Sequence, residues 1–418
     1  MFRSMGCAMA FAVATASAYA QQSDEVRKLQ QRVDRLEAQS QSRGQSAFNP
    51  EISLILQGTA ASIKQDPETY QITGFAPSGG EVGPPRRGLS LAESELVVAG
   101  NVDPYFRGQL VAALTPEDKI EVEEAFFQTL ALGRGFTLKG GRFLSGIGYQ
   151  NEIHQHAWDF QDAPLAYKAI LGGRLNDDGV QARWVAPMDF LLELGTEVGR
   201  GRSFPATDPN KNGAGAWSLF AHVGGDVWRA GLSYLRVKPS DRAFEDSDTL
   251  GTAATQSFTG ESKLWIADFV VKWRDLKLLG EYFRRRESGD LTFDDSGGSA
   301  VFGALTDSYE STQSGWYAQA VYRFLPQWRV GYRYDRLDHG DVSNGIVDNG
   351  LGPTAADFPL LMTDHNPTRN TVMVDWSPTE FSRVRLQFAQ DKSRFNVTDD
   401  QVVLQYILSL GAHGAHKF

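Results

Sequence analysis

Trp328-Arg329-Val330-Gly331-Tyr332-Arg333-Tyr334-Asp335 decides how this chain is read. In an extended strand successive side chains point to opposite faces, so Trp328, Val330, Tyr332 and Tyr334 share one face and Arg329, Arg333 and Asp335 share the other. One face suits lipid and the other water. The same alternation sets Trp265, Ala267, Phe269, Val271 and Trp273 against Asp268 and Lys272, and Trp316, Ala318, Ala320, Tyr322 and Phe324 against Gln319 and Arg323. Charge on the second face argues against a dry sandwich core. From about Glu51 to Phe418 the pattern returns in about sixteen segments of roughly nine to thirteen residues, the rhythm of a transmembrane barrel. Aromatics at segment ends, such as Trp228 and Tyr234 or Trp273 and Tyr282, suit the headgroup layers. The predicted fold is all-β: a transmembrane antiparallel β-barrel of about 16 strands, preceded by a short N-terminal α-helix forming a coiled coil.

Short connections such as Val102-Asp103-Pro104, Gly133-Arg134-Gly135 and Arg274-Asp275 carry the Gly, Pro and Asp of tight turns. The late strands are expected near 262 to 274, 276 to 287, 314 to 324 and 327 to 338. The stretches Pro239 to Ser262 and Ser288 to Ser314 then become long outer loops. Short turns face the periplasm in such barrels, so an even strand count puts both termini there.

The start of the chain supplies an address. Arg3, the apolar stretch Met5 to Val13 and Ala18-Tyr19-Ala20 read as a cleavable signal over residues 1–20. Cleavage would remove Cys7, the single cysteine. Residues 21–43 read as a periplasmic helix with Val26, Leu29, Val33 and Leu36 on a coiled-coil seam. Two heptads are marginal alone. The helix is thus either a solvated tether or a seam that closes when a barrel trimer gathers three copies. Residues 44–50 form a linker, and residues 51–418 the barrel. The aromatic end at Phe418 resembles the terminal signal by which outer-membrane barrels meet their assembly machinery.

Composition excludes several classes. No apolar run approaches the roughly eighteen residues of a membrane helix. The hydrophobic fraction of 41% and mean hydropathy of −0.33 suit a barrel with a wet lumen, which needs only half of each strand to be apolar. The formal net charge is −10, much of it in loop residues such as Glu245, Asp246, Asp294 and Asp295. With pI near 5.3 and no basic stripe, nucleic-acid binding is not expected. No Gly-X-Ser-X-Gly elbow or other nucleophile setting occurs, so no catalysis and no cofactor are expected.

Sixteen strands enclose an aqueous channel, and function turns on what narrows it. The connection Ser145 to Asp178 is too apolar and aromatic for a solvated loop. Its His154-Gln155-His156-Ala157-Trp158-Asp159-Phe160 stretch is expected to fold inward as a constriction loop; a loop packed at a subunit contact is the alternative. By parity the lumen receives a basic set, Lys272, Arg323, Arg329, Arg333, Arg383 and Arg385, and an acidic set, Glu93, Glu95, Glu121, Glu123, Glu193 and Glu197. Either the two walls set up a transverse field or they pair with one another. The arginines suggest a preference for small anions. Glu152, His154, His156 and Asp159 within one loop also raise a divalent-metal alternative, an uptake channel or receptor-like barrel for zinc, with His154 and His156 as weak ligand candidates. Hydrogen bonding that holds the loop is the plainer role for these histidines. His413 and His416 invite the same caution. A plugged energised receptor would need about 22 strands.

Ser94-Glu95-Leu96, Asn101-Val102-Asp103-Pro104-Tyr105-Phe106, Gly141-Arg142-Phe143 and Gly179-Val180-Gln181 resemble the phosphate-selective porin O and P type superfamily. The N-terminal helix is similar to that of dicarboxylate porins with a periplasmic coiled coil. The resemblance implies a homotrimeric sixteen-stranded channel in a Gram-negative outer membrane. Its implied partners are membrane lipid and small anionic solutes that enter passively.

Overall fold

The computed structural model describes residues 50–79, 82–207, 212–247, 253–298 and 300–411. The signal segment, the seam of Val26, Leu29, Val33 and Leu36, the linker up to residue 49, His413, His416 and Phe418 lie outside the described residues.

Eighteen hydrogen-bonded segments form one closed antiparallel sheet. Two crossings are each in two pieces lying along the same neighbour, so the barrel has sixteen strands. In order they are Glu51–Ile63, Gly88–Leu91 with Ser94–Asn101, Phe106–Leu114, Ile120–Thr129, Phe136–Leu144, Asn176–Val185, Leu191–Gly199 and Ala216–Gly224. Trp228–Val237 with Arg242–Ser247, Ala253–Trp273, Leu276–Asp294, Ala304–Leu325, Trp328–Asn344, Thr368–Thr379, Ser382–Lys392 and Asp399–Gly411 complete the wall. Each strand pairs with the next, and the last returns to the first from Ser53↔Gly411 to Ile63↔Gln401. Closure leaves no unpaired edge, as spanning hydrocarbon with strands requires.

The pleat sorts the side chains inside out relative to a soluble protein. Along Asp399–Gly411, Leu404 is 44% exposed while Gln405 beside it is 1% exposed. Val402, Tyr406 and Leu408 share the outer row with Leu404. Rings gather at both ends of this outer face. Toward the short turns, Trp328 stacks on Trp376 at 6.0 Å and neighbours Phe324 at 6.5 Å. Toward the long connections, Tyr234 packs on Trp217 at 5.2 Å and Trp265 at 4.7 Å, and Trp316 on Tyr334 at 5.4 Å. Trp316 and Phe324 are eight residues apart, about 26 Å along a strand, which suits the apolar band of a membrane barrel.

Beyond the upper ring the structure departs from the sequence expectation. Pro239 to Ser262 and Ser288 to Ser314 are largely strand: Ala253–Trp273, Leu276–Asp294, Ala304–Leu325 and Trp328–Asn344 run well past the aromatics. Polarity reverses there. Thr255, Thr259 and Asp290 point out, while Phe258, Leu291, Phe293 and Tyr309 turn in and pack with Ile346, Phe358 and Leu361. The last three belong to a helical connection containing Gly345–Asp348 and Pro359–Met362.

Leaving Phe136–Leu144, the chain turns into the barrel. The helix Leu165–Leu171 is buried at every residue and ends on Gly172 at φ 69, a left-handed cap that glycine adopts without strain. Apart from Lys168, which pairs with Asp162, this helix is apolar or aromatic and needs a partner on every side. Here Ile266, Leu279, Phe283, Tyr317 and Leu337 of the inner wall supply it. Tyr167 and Tyr317 both donate to Glu281, at 3.0 and 2.6 Å.

Candidate functional site

The inward connection lies between an acidic wall and a basic one, and its sequence answers both. Its histidines meet glutamates. His154 Nε2 donates to Glu124 at 3.1 Å, and His156 Nδ1 donates to Glu95 at 2.8 Å. Its aspartates meet cations on the other side. Asp159 accepts from Lys277 at 2.7 Å, Arg329 at 3.2 Å and Gln319 at 2.9 Å. Asp162 takes Arg333 at 3.1 Å, Lys168 at 3.0 Å, Gln387 at 3.2 Å and also Arg369. Burial alone would raise both aspartate pKa values, but the surrounding cations prevail. Lys277 and Arg329 hold Asp159 down to about 2, and Arg369, Lys168 and Arg333 hold Asp162 well below the usual carboxylate range. Backbone carbonyls add to the anchoring: Arg385 Nη2 donates to Trp158 O at 2.8 Å, and Arg333 Nη1 to Asp162 O at 2.8 Å. Phe160 lies under the Arg333 guanidinium, 4.8 Å from it.

These contacts change the role of the basic set. Arg329 is shared between Asp159 and Asp375, Arg333 between Asp162 and Asp335, and Arg385 lies 3.5 Å from Asp375. Arg383 points at the carbonyls of His156 and Trp158, both at 3.4 Å. They form a socket for the loop rather than an open anion-attracting wall. Arg323 and Lys272 stand apart: Arg323 pairs with Asp275 at 2.7 Å beside a short turn, and Lys272 is exposed near the same turn. In register both follow the inward row, but the row has reached the rim there.

The acidic set divides as well. Glu197 holds the start of the loop through Gly146 N at 2.8 Å and also accepts from Gln181 and Ser218. Glu193 pairs with Arg183 at 3.2 Å and His222 at 2.9 Å. Glu93 and Glu123 both hold Arg174, and Glu95 holds His156. Glu121 is exposed along the cavity described below. The in-loop metal cluster does not form, because Glu152 pairs with Arg183 and Asp159 with Lys277.

Glu124, Lys277 and Arg369 were missed by parity reasoning, for different reasons. The register shifts between Val111 and Ala112, where Glu124 opposes one and Val122 the other, so Glu123 is the extra residue of a bulge. Glu123 and Glu124 therefore both turn inward. Adjacent glutamates were the available signal, since strict alternation would have put one in lipid. Lys277 and Arg369 follow the inward row and needed only that row carried one step further.

The loop leaves open a cavity of about 830 Å³ against the first strands. Glu68, Glu93, Glu117, Glu121, Glu123 and Asp162 line it together with Arg86, Lys119, Lys168, Arg174 and Arg202. Trp158, Leu171 and Phe204 give it apolar patches. The connection after Glu51–Ile63 reaches over it, with Ser78 Oγ donating to Lys168 O at 3.0 Å and Gly74 N to Leu360 O at 2.9 Å.

The sixteen-stranded barrel has the fold of several outer-membrane porins and channels. OmpT of Vibrio cholerae in its trimer form superposes with a TM-score of 0.54 at 10% identity, covering 86% of this chain and 98% of that one. The outer membrane channel DcaP of Acinetobacter baumannii gives 0.53 at 12% identity, covering 86% and 96%. An anion-selective porin from Comamonas acidovorans gives 0.52 at 10% identity, covering 86% and 98%. No family model matches the sequence. The chain belongs to the same family as an uncharacterised protein of Aquifex aeolicus (strain VF5), with 31% identity over 408 residues that covers 90% of this chain and 81% of that protein.

Proposed function

We propose that the protein is an outer-membrane porin through which small hydrophilic solutes diffuse passively, with no catalytic step. The observation that carries this reading is the cavity of about 830 Å³ beside the loop. Polar groups of both signs line it, inside a barrel whose outer surface is an apolar band between aromatic rings. Such a lumen replaces bulk water for a solute small enough to pass.

The reading departs from an anion preference. Arg329, Arg333 and Arg385 are matched by Asp159, Asp162, Asp335 and Asp375, and a paired guanidinium presents little net field to a passing ion. Among the described lining residues, the six carboxylates named above slightly outnumber the five basic groups. A weak preference for cations follows. The loop acts as the constriction, with Trp158, itself buried, lining the cavity.

The trimeric porins of this fold support a homotrimer in a Gram-negative outer membrane, with the termini on the periplasmic side and the seam of Val26, Leu29, Val33 and Leu36 joining three copies. The C-terminal strand and Phe418 would meet the barrel-assembly machinery. Swelling of liposomes holding the purified protein tests the channel. Swelling rates should fall smoothly with sugar size until exclusion. Folded barrel that admits no sugar would end the reading, and a native mass of one chain would end the trimer.

A further inference from the structure

We infer that His154 Nδ1, Glu95 Oε2 and Glu123 Oε2 form a site for one divalent transition-metal cation of the zinc class, tying the inward loop to the barrel wall. The inference goes beyond the porin reading and does not depend on it.

Three buried atoms here have no hydrogen-bond partner. Glu95 is fully buried, yet its Oε2 accepts no hydrogen bond; neither does Glu123 Oε2, and His154 Nδ1 is likewise without one. All three point at one another. Nδ1 lies 3.4 Å from Glu95 Oε2 and 3.3 Å from Glu123 Oε2, and the three atoms fall within 4.8 Å of one another. A carboxylate has only acceptors to offer, and an imidazole that donates from Nε2 keeps Nδ1 as an acceptor. Three acceptors converging in a buried place destabilise the fold unless a cation stands between them. An imidazolium would lie 3.4 and 3.3 Å from the two oxygens, an ion pair with each, but its Nδ1–H is not aligned to hydrogen-bond either one.

The two separations from His154 Nδ1 and the supporting contacts match a metal. Zinc takes nitrogen and carboxylate oxygen at about 2.0–2.1 Å in tetrahedral array, which puts ligand atoms about 3.3–3.4 Å apart. Each ligand is also held from behind by its other polar atom. Glu124 accepts from His154 Nε2 at 3.1 Å, His156 donates to Glu95 Oε1 at 2.8 Å, and Arg174 grips Glu123 Oε1. A carboxylate on the far nitrogen of a ligating histidine fixes the tautomer and the ring plane. Two carboxylates balance a divalent charge, and one coordination position remains for water or a solute. Glu123 also lines the cavity, so the ion would stand at its edge. The bulge that turns Glu123 and Glu124 inward together is what supplies both a ligand and the support behind His154.

The test is calorimetric titration of the chelator-treated, detergent-solubilised full chain with Zn²⁺, on wild type and on His154→Ala and Glu123→Gln, with folding checked by heat-modifiable migration. One saturable ion per chain is expected, with affinity reduced at least tenfold in each variant. Should a variant fail to fold, Co²⁺ added to wild type gives a readout without mutation: an intense visible band of four-coordinate cobalt, displaced by Zn²⁺. Absence of saturable binding to folded wild type, binding unchanged in both variants, or a cobalt spectrum of the free aquo ion would each overturn the inference.

Discussion

Along Ala253–Trp273 the outward side chains from the lower aromatic ring to the upper one are Trp273, Phe269, Ala267 and Trp265, whereas beyond the upper ring they are Glu261, Thr259, Ser257 and Thr255. The inner row is mixed in both regions, with Leu264, Ile266 and Asp268 at the level of the rings and Phe258, Gln256 and Ala254 above them. The hydrogen-bonded ladder is continuous through both regions, from Thr255↔Asp294 to Trp273↔Leu276. Only the surroundings differ. At the level of the rings the outside suits lipid and the inside holds ions; above them the outside suits water and the inside holds an apolar plug. Backbone pairing thus fixes the strands, while the medium on each side decides which row is greasy.

The plug should give the largest response. Phe293 is fully buried and lies 5.2 Å from Phe358 and 6.3 Å from Phe302. Phe293→Ala should cost about 3–5 kcal/mol, the usual penalty for removing a core ring. Hydrogen exchange should show the loss in the upper halves of the long strands and not near the short turns. Exchange raised evenly over the whole barrel would break the contrast between the regions.

The lipid-facing row comes next. Leu404→Arg should cost about 2–4 kcal/mol where the row meets the bilayer interior, read as a lower denaturation midpoint in vesicles. Asp290→Arg, on the outer row above the rings, should stay within about 0.5 kcal/mol. Equal costs at the two positions would mean that the band ends elsewhere.

The sharpest discriminator acts on one region only. Asp159 is held to about 2 when folded, below an unfolded value of about 3.9. The unfolded chain therefore binds the proton first, so the stabilisation is complete above about pH 4 and is lost as pH falls toward 2. The thermal midpoint should drop over that window, and the drop should shrink in Asp159→Asn. The apolar plug should not respond. An equal acid response in Asp159→Asn would mean that other groups carry it.

Much of the barrel was legible because lipid enforces strict alternation. Strands such as Asp399–Gly411 were placed to within a residue or two, and the basic row of Arg329, Arg333, Arg383 and Arg385 does turn inward. The long upper extensions were hidden because Ser, Thr and Asp on an outer face look like loop residues when a greasy outer row is the cue. Partnership was the other gap. Arg333 reads as an open lumen charge until Asp162, far along the chain, is found against it. Glu124 was missed for a local reason, since one extra residue in a strand reverses parity and only the adjacent glutamates, Glu123 and Glu124, betray it.

Current through single molecules in a planar bilayer, with the reversal potential measured across a KCl gradient, tests the central claim most directly. Stepwise opening is expected, with a reversal potential displaced only slightly toward the cation side. Folded barrel that carries no current, or a strong anion preference, would contradict the account of an open passage running beside a loop whose arginine socket is already filled.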